Sequence, residues 1–254
     1  MVIVFSAMIE SNNMKFIDKV LTRRFISEMR LWRLRPLFPL MSLYMKGDVL
    51  DIGGRDFFLF AQNNKKISFK SWTSLDLEVS ATEFSDPRYK LVVGDGEKAP
   101  FPDKSFDTIL NIQVLEHTLH PHKMLAEIKR LLKDGGVAII VVPQNAAMHE
   151  IPTHYYNFTR YWVERAFPEA GLVVKELISI GGKWSTHASH MFDFFLKAFR
   201  WGWSSSPDYK RNIIFYILSP LMCLYAFFGI IIGLVFSLGD LTEDPNNLII
   251  VATK

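Results

Sequence analysis

The stretch VLDIGGRDFF, from Val49 to Phe58, decides the fold. It begins as a short apolar strand that carries one acid, Asp51, and it then reaches two glycines, Gly53 and Gly54. Glycine permits a tight turn and a close backbone approach that a larger side chain would block. A buried strand that ends in such a turn is typical of the ligand-binding edge of an open α/β sheet.

Alternation of strands and helices continues after this turn. Further strands are predicted at SWTSLDL ending at Asp76, YKLVVGD ending at Asp95, FDTILNIQ (106–113) and VAIIVVP (137–143). A helical pattern begins at Pro121 and is expected to run through Leu132 to a turn at 134–136. Strands that are apolar on both faces and alternate with helices predict a doubly wound parallel sheet. Its ligand is then expected beyond the carboxyl ends of the strands.

The acid at the end of the second strand narrows the choice of ligand. Asp76 is placed where a carboxylate can accept both hydroxyl groups of a ribose, which suits NAD or S-adenosylmethionine. The NAD signature G-x-G-x-x-G is absent, because Arg55 and Phe58 occupy its later glycine positions. A pyrophosphate needs the bare helix N-terminus that those glycines provide, whereas S-adenosylmethionine has no phosphate. The sequence therefore favours S-adenosylmethionine over NAD.

Together, these motifs resemble the class I S-adenosylmethionine-dependent methyltransferases, in the broad group that modifies small molecules and lipids. The resemblance covers about residues 48–177 and the C-terminal strand, and it is carried by VLDIGG, LDL, GDGEKAPFPDKSFDTI, VLEH and EIKRLLKDGG. It implies a seven-stranded Rossmann-like sheet in which GLVVKELISIGG (171–182) is strand six and NNLIIVATK (246–254) is strand seven, near the middle. It also implies cofactor-binding roles: Asp51, Gly53 and Gly54 at the methionine half, Asp76 at the ribose, Asp95 and Gly96 at the adenine, and Gln113 at the methionine or sulfonium, with Leu77 beside Asp76 as a further cofactor-binding residue.

An aromatic segment after the fifth strand is the candidate acceptor site. HEIPTHYYNFTRYW, from His149, resembles a His-Glu-x-Pro-x-Asp-Tyr-Tyr-Arg-Phe-Thr segment of bacterial methyltransferases associated with surface-polysaccharide or lipid-linked sugar synthesis. Here a histidine replaces the acid and Asn157 replaces the arginine. His149 and His154 are the candidate catalytic bases, because imidazole titrates near neutral pH. Tyr155, Tyr156 and His117 are the candidate substrate-pocket residues; the alternative is that the histidines only pack or hydrogen-bond within the loop.

Metal and nucleic-acid partners are not expected. His117, His120 and His122 lie close together in sequence, but no carboxylate or cysteine cluster accompanies them, so we predict no metal site. A formal net charge of +3 is too small to indicate a nucleic-acid partner. The single cysteine excludes an internal disulfide, and MVIVFSAMIE lacks the basic start of a secretory signal. We therefore expect a cytoplasmic catalytic body.

One long apolar segment indicates membrane contact. The run from Ile213 to Leu238 contains no charged residue and exceeds the ~20 residues that cross a bilayer as a helix. The alternatives are a buried core helix or an oligomer interface. A single crossing would leave strand seven on the wrong side of the membrane, so the segment is expected to enter one leaflet and return, with bends at Pro220, Gly229 and Gly233.

The organisation predicted from these patterns has four parts. Residues 1–46 form a basic amphipathic helical arm that lies on a membrane surface or packs on the domain, 47–182 the methyltransferase core, 183–240 an apolar membrane-associating helical insertion, and 241–254 the strand that completes the sheet. The expected function is transfer of a methyl group from S-adenosylmethionine to an oxygen of a lipid-linked or amphiphilic acceptor, at the cytoplasmic side of a membrane. The enzyme is expected to be peripheral or monotopic, with a homo-oligomer as one option for its assembly. The alternative is a membrane-attached binding or scaffold protein with this fold and no turnover.

Overall fold

The computed structural model describes residues 34–54, 57–78, 84–198 and 212–254. Within these ranges, seven strands form one sheet in the order β3-β2-β1-β4-β5-β7-β6. The strands are β1 Asp48–Ile52, β2 Ser71–Asp76, β3 Tyr89–Val93, β4 Phe106–Ile112, β5 Leu132–Pro143, β6 Val173–Ile180 and β7 Asn247–Thr253.

The sheet is mixed rather than parallel throughout. β1 to β5 pair in parallel, whereas β7 lies between β5 and β6 and runs antiparallel to both. The prediction that the C-terminal strand returns to the interior of the sheet is confirmed. The parallel pairing predicted for the first five strands is confirmed as well. Parallel pairing from β1 to β5 brings the carboxyl ends of those five strands to one edge.

Helices cover both faces of this sheet. They are α1 Leu37–Tyr44, α2 Phe57–Asn63, α3 Pro121–Leu131, α4 Arg160–Glu169, α5 Lys183–Ala198 and α6 Ile213–Phe236. Side chains of α3 and α4 pack on one face, and those of α1 and α2 on the other. Leu37 and Met41 of α1 are fully buried there, so the end of the predicted N-terminal arm belongs to the core. The basic amphipathic part of that arm lies outside the described residues.

The connection between α3 and β5 differs from the prediction. The helix ends at Leu131, and β5 already begins at Leu132, which pairs with Phe106 and is fully buried. The predicted turn at 134–136 is therefore part of the strand, where Gly135 adopts a φ of 70°. Burial of Leu132 between strand neighbours outweighs the helical spacing that had placed it on α3.

Antiparallel packing joins α5 and α6 into a hairpin. The rings of Trp184 and Phe236 meet at 4.8 Å near one end, and a Cβ on Gly233 would lie 2.8 Å from the Trp184 carbonyl oxygen and 2.8 Å from Ala188 Cβ. The prediction of bends at the two glycines of this segment is wrong, because α6 is one continuous helix. Its glycines instead allow α5 to approach closely, as small residues do between membrane helices.

The outer surface of α6 is strongly apolar. Its buried residues are all small, namely Ala226, Gly229 and Gly233. Large apolar side chains face away from the protein; Ile217 is 68% exposed and Leu221 is 66% exposed. This arrangement is the reverse of a soluble amphipathic helix, which buries its large apolar residues. By length and composition this helix is long and apolar enough to cross a membrane, and 17% of its most apolar window is buried.

A carboxylate closes the base of the hairpin. Asp240, just after α6, accepts hydrogen bonds from the backbone N–H groups of Trp184 and Ser185 at 2.8 and 2.9 Å, and from the Ser185 hydroxyl at 2.6 Å. These N–H groups belong to the first turn of α5, where no intrahelical acceptor exists. The end of α6 thereby caps the start of α5, and both helix ends stay beside the sheet.

Replacing Asp240 with alanine should lower the free energy of unfolding by about 1–2 kcal/mol, because it removes the cap. Burial alone would raise the pKa of Asp240, but the hydrogen bonds from Ser185 and the backbone outweigh it and leave the pKa below its usual value. This stabilisation is therefore present at neutral pH and lost as the pH falls through the lowered pKa. Urea unfolding of both proteins at pH 7 and at lower pH measures the difference, which should shrink on acidification.

Asp244→Ala is the matched control. It removes an exposed ion pair with Lys183, which is 3.4 Å long, and such pairs contribute ~0–1 kcal/mol. Equal destabilisation by both substitutions at pH 7 would contradict the capping role of Asp240.

Candidate functional site

The candidate cofactor site lies at the carboxyl edge of the parallel strands. Asp51 lies near the end of β1, Asp76 ends β2, Asp95 follows β3 and Gln113 follows β4. Because β1 pairs with both β2 and β4, side chains that are far apart in sequence reach one edge. The topology thus brings together the residues that the sequence singled out.

The turn after β1 is as tight as its glycines predict. Gly53 has a φ of 67°, which favours glycine, and its N–H donates a 2.7 Å hydrogen bond to the Leu75 carbonyl oxygen. A Cβ on Gly54 would overlap the fully buried carboxylate of Asp51. Both glycines are therefore required by the local geometry.

Phe57 and Phe58 do not enter the candidate cofactor site. Both rings are buried in the core cluster beneath α2, and the Phe58 ring contacts that of Trp72 at 5.6 Å. Large residues at these positions therefore leave the edge of the sheet clear. Arg55, the other departure from the glycine pattern, lies outside the described residues.

The ends of β2 and β3 present an acid, an exposed apolar residue and a close-packed glycine. The main chain of Asp76 accepts a 2.9 Å hydrogen bond from the Gly94 N–H, and Leu77 beside it is 71% exposed. A Cβ on Gly96 would lie 2.8 Å from Ile52 Cγ2 and 2.7 Å from Met124 Cε. The Asp95 carboxylate accepts a 2.8 Å hydrogen bond from the Glu97 N–H, so it caps the short 3-10 turn at Gly96–Lys98.

Two charged residues of α3 hold the loop that carries Gly96. Arg130 donates to the Phe101 and Ala99 carbonyl oxygens at 2.8 and 3.2 Å, and Glu127 accepts from the Ala99 N–H at 3.1 Å. Hydrogen bonds from Arg130 lower the pKa of Glu127, with burial opposing them. This pair fixes the Pro-Phe-Pro turn against the helix and, with it, the position of Gly96.

Gln113 joins three strands at the end of β4. It has a φ of 58°, a left-handed conformation that is uncommon outside glycine, and its N–H donates to the Val141 carbonyl oxygen at 2.9 Å. Its side-chain Nε2 donates to Asn247 Oδ1 of β7 at 3.0 Å. That amide group is directed at β7, and its predicted contact with the methionine or sulfonium stays a prediction. Strained backbone of this kind is concentrated at functional sites.

These features fit S-adenosylmethionine. The glycine turn at Gly54 and the close packing at Gly96 leave no room for side chains where the backbone meets the edge. Asp76 ends its strand with a carboxylate, the group that accepts ribose hydroxyl groups at this position of the fold, and exposed Leu77 lies beside it. The cofactor-binding roles of Asp51, Gly53, Gly54, Asp76, Leu77, Asp95, Gly96 and Gln113 stay a prediction.

Two histidines and a glutamate meet beside this edge. Glu116 and His117 lie in the short 3-10 turn Leu115–His117 after β4, and His149 lies in the loop after β5. The Nε2 atoms of His117 and His149 lie 3.8 and 3.9 Å from Glu116 Oε1, and Glu116 is fully buried. The sequence predicts no metal site because no carboxylate or cysteine cluster accompanies His117, His120 and His122, whereas the fold brings Glu116 next to His117 and His149. Glu116 was visible in VLEH, but its approach to His149 depends on the fold.

The structure argues against His154 as the base. Its Nδ1 accepts the backbone N–H of His149 at 3.2 Å, and its Nε2 lies 3.0 Å from the Tyr156 carbonyl oxygen. Burial and then the neighbouring His149 lower the pKa of His154, which favours the neutral ring. With one nitrogen accepting and the other donating, a neutral His154 has neither nitrogen left for an acceptor. It holds the loop in place.

Large apolar side chains in and near the two loops that carry these histidines are exposed. They are Leu119, Met148, Ile151, Tyr155 and Tyr156. The Tyr156 hydroxyl donates to the Leu119 carbonyl oxygen at 3.1 Å, which joins the two loops. These residues are candidates for an apolar rim of the acceptor site.

Direct hydrogen bonds connect this loop to the helical hairpin. His190 Nε2 of α5 lies 2.9 Å from the Asn145 carbonyl oxygen, and Lys197 Nζ donates to the Met148 carbonyl oxygen at 3.1 Å. α5 therefore lies between the active-site loop and α6. Since Met148 precedes His149 directly, the contacts of α5 connect the apolar helix α6 to the segment that carries His149.

Comparisons with known proteins agree with this geometry. Residues 51–140 match the family model described as a methyltransferase domain. An uncharacterized protein of Methanocaldococcus jannaschii is 29% identical over 111 residues, which are 43% of this chain and 54% of that protein. The phthiotriol/phenolphthiotriol dimycocerosates methyltransferase of Mycobacterium tuberculosis is 38% identical over 71 residues, 26% of each chain. The matched region thus spans about half or less of these relatives.

Solved structures share the fold over most of the chain. A methyltransferase in complex with the Haloferax volcanii Trm112 methyltransferase activator has a TM-score of 0.59 at 20% identity, covering 91% of this chain and 93% of that one. Phosphoethanolamine N-methyltransferase 2 of Haemonchus contortus, solved with S-adenosyl-L-methionine, has a TM-score of 0.51 at 16% identity and covers 83% and 49%. These likenesses show the fold, and the family model that matches residues 51–140 identifies an S-adenosylmethionine-dependent methyltransferase domain in this part of the chain.

Proposed function

We propose that this protein transfers a methyl group from S-adenosylmethionine to an oxygen of a lipid-linked or amphiphilic acceptor at the cytoplasmic surface of a membrane. The observation that carries the proposal is the position of α5, which contacts the active-site loop on one side and the apolar helix α6 on the other. A membrane that receives α6 would lie next to the site of chemistry. An acceptor held in that membrane could reach the cofactor without leaving the lipid.

Peripheral attachment is favoured over a single crossing. The chain leaves the sheet at β6 and returns at β7, so a crossing by α6 would require a second crossing by α5. The described part of α5 carries the charged residues Lys183, Asp193 and Lys197, which a run of ~20 apolar residues crossing a bilayer would not contain. α6, with 24 residues, is ~36 Å long and can lie along one leaflet. Residues 183–240 then form a monotopic membrane-binding insertion in the methyltransferase sheet.

The apolar rim supports an amphiphilic acceptor. Exposed Met148 and Ile151 lie in the same loop as His149, so an acyl or polyprenyl chain would find an apolar surface beside the reacting group. The mycobacterial relative is named for dimycocerosate substrates, although it matches only a quarter of this chain. An acceptor with a long apolar chain is consistent with the exposed apolar residues of this loop and with the name of that relative.

The chemistry requires a close and deprotonated acceptor oxygen. The bound cofactor supplies a methyl group on a sulfonium, and displacement requires an acceptor atom in line at ~3–3.5 Å. His149 is the proposed proton acceptor, because its Nε2 faces the buried Glu116 at the mouth of the pocket. His154 and Tyr156 hold the loop through their hydrogen bonds to the backbone. His117 and Tyr155 complete the proposed acceptor pocket.

The rival function, a scaffold without turnover, has lost its main support. It depended on the glycine-poor first motif, which suggested a damaged cofactor loop. Phe57 and Phe58 are buried in the core, so neither ring obstructs the site. An active enzyme is therefore the function that the geometry supports best.

Asp76→Ala should weaken S-adenosylmethionine binding at least tenfold, because charge-assisted hydrogen bonds to two ribose hydroxyl groups are worth ~1.5–3 kcal/mol each. Isothermal titration calorimetry of the full chain measures the affinity. Asp134→Ala is the matched control: Asp134 is an exposed acid paired with Lys104 near the start of β5, on the opposite edge of the sheet. Unchanged affinity in a folded Asp76→Ala protein would remove Asp76 from the site.

Four substitutions on the outer side of α6, Ile217→Ser, Leu221→Ser, Leu224→Ser and Phe228→Ser, should release the protein from membranes. Each apolar side chain that enters lipid contributes up to ~1.5–3 kcal/mol, so the loss exceeds what surface charge can offset. Flotation with anionic phospholipid vesicles measures binding; wild-type binding should persist in high salt, whereas the variant should remain in the unbound fraction. Leu43→Ser, at an exposed leucine of α1, is the control. Equal flotation of wild type and variant would contradict a membrane role for α6.

A further inference from the structure

The cluster of Glu116, His117 and His149 has the composition of a metal-binding site. One ligand atom from each residue lies within 4.8 Å of the others. Two imidazole nitrogens and a carboxylate oxygen form the His₂Glu set that holds zinc with an open fourth position. The cluster spans two loops, one after β4 and one after β5, so the fold rather than the local sequence brings it together.

Hydrogen bonds orient both imidazoles for a ligand role. His117 Nδ1 lies 3.0 Å from the Thr153 carbonyl oxygen, and His149 Nδ1 lies 3.0 Å from the Ala147 carbonyl oxygen. A carbonyl can only accept, so each Nδ1 carries the proton and, in the neutral ring, each Nε2 carries a lone pair. Backbone carbonyls hold metal-binding histidines in this way in known sites.

The remaining distances bring the ligand atoms of the cluster close together, within 4.8 Å of one another. Both Nε2 atoms are 3.8–3.9 Å from Glu116 Oε1. These separations are longer than a hydrogen bond. Ligands on a shared tetrahedral zinc are ~3.4 Å apart for bonds of ~2.1 Å, so the two contacts with Glu116 would shorten by a few tenths of an ångström and any wider pair by more. Glu150 Oε2, also 3.8 Å from His117 Nε2, adds negative charge at the rim.

We propose that Glu116, His117 and His149 bind one divalent first-row transition-metal ion, Zn²⁺ or its substitute Co²⁺, at the mouth of the acceptor pocket. The inference rests on the proposed function for its role: the open position would take the acceptor hydroxyl oxygen and lower the pKa of that hydroxyl. The O–H proton leaves to water, the oxygen forms a bond to the methyl carbon, and the carbon–sulfur bond breaks with its electron pair remaining on sulfur. His149 then serves as a ligand, and metal coordination replaces its role as the direct proton acceptor.

Titration of Zn²⁺ and Co²⁺ into the full chain tests the site without any acceptor. Calorimetry should show one Zn²⁺ per chain, and Co²⁺ should give a visible absorption spectrum from a nitrogen and oxygen ligand set. His149→Ala should weaken Zn²⁺ affinity by at least tenfold and change the Co²⁺ spectrum. Glu116→Gln should have the same effects. Because the Glu116 carboxylate is fully buried, this variant could fail to fold; the result for His149→Ala, at a half-buried residue, then decides the test.

His122→Ala is the matched control. His122 is an exposed histidine on α3 whose ring contacts Trp162, and it should leave Zn²⁺ affinity unchanged. Absence of Zn²⁺ binding, or equal affinity in wild type and His149→Ala, would overturn the proposal. S-adenosylmethionine affinity, measured in the same samples, separates the two hypotheses. If the protein binds the cofactor but not Zn²⁺, only the metal site is contradicted. If it binds Zn²⁺ but not the cofactor, only the methyltransferase function is contradicted. Methyl transfer that persists in a chelator would restore His149 as the direct base.

Discussion

The return of β7 to the interior of the sheet constrains the rest of the molecule. β7 hydrogen-bonds to β5 on one side and β6 on the other, so whatever leaves the sheet after β6 has to come back to the same body. The excursion takes the form of the hairpin α5–α6, closed at its base by the Asp240 carboxylate. The apolar helix α6, which has the length and composition of a membrane span, is thereby held close to the sheet edge that carries the candidate site.

The packing within the hairpin explains how an apolar helix can remain outside the core. α6 packs against α5 with small residues such as Gly233, so its large apolar side chains face away from the protein. A soluble core helix has the opposite arrangement. Because α5 also contacts the loop that carries His149, the proposed membrane contact and the proposed acceptor binding would involve neighbouring parts of one surface. The two properties are therefore expected to be linked.

Strand spacing and glycine placement predicted most of the fold, because buried strands and tight turns impose strong local patterns. The candidate cofactor residues Asp51, Gly54 and Asp76 lie where the sequence places them, at or just after strand ends, for the same reason. The long-range features were not predictable in this way. Leu132 satisfies a helical spacing but is buried as a strand residue, and Gly229 and Gly233 read as bends until α5 is placed against them. Glu116 meets His149 only after two loops converge, so no local spacing could indicate that pair.

Methyl transfer from radiolabelled S-adenosylmethionine to a membrane extract tests the central claim most directly. The full chain, incubated with membranes and then extracted with organic solvent, should place label in the lipid fraction at a rate that depends on membrane binding by α6. A water-soluble extract from the same cells should accept little label. Label confined to the water-soluble fraction, or no transfer in either fraction by a protein that binds the cofactor, would contradict the account.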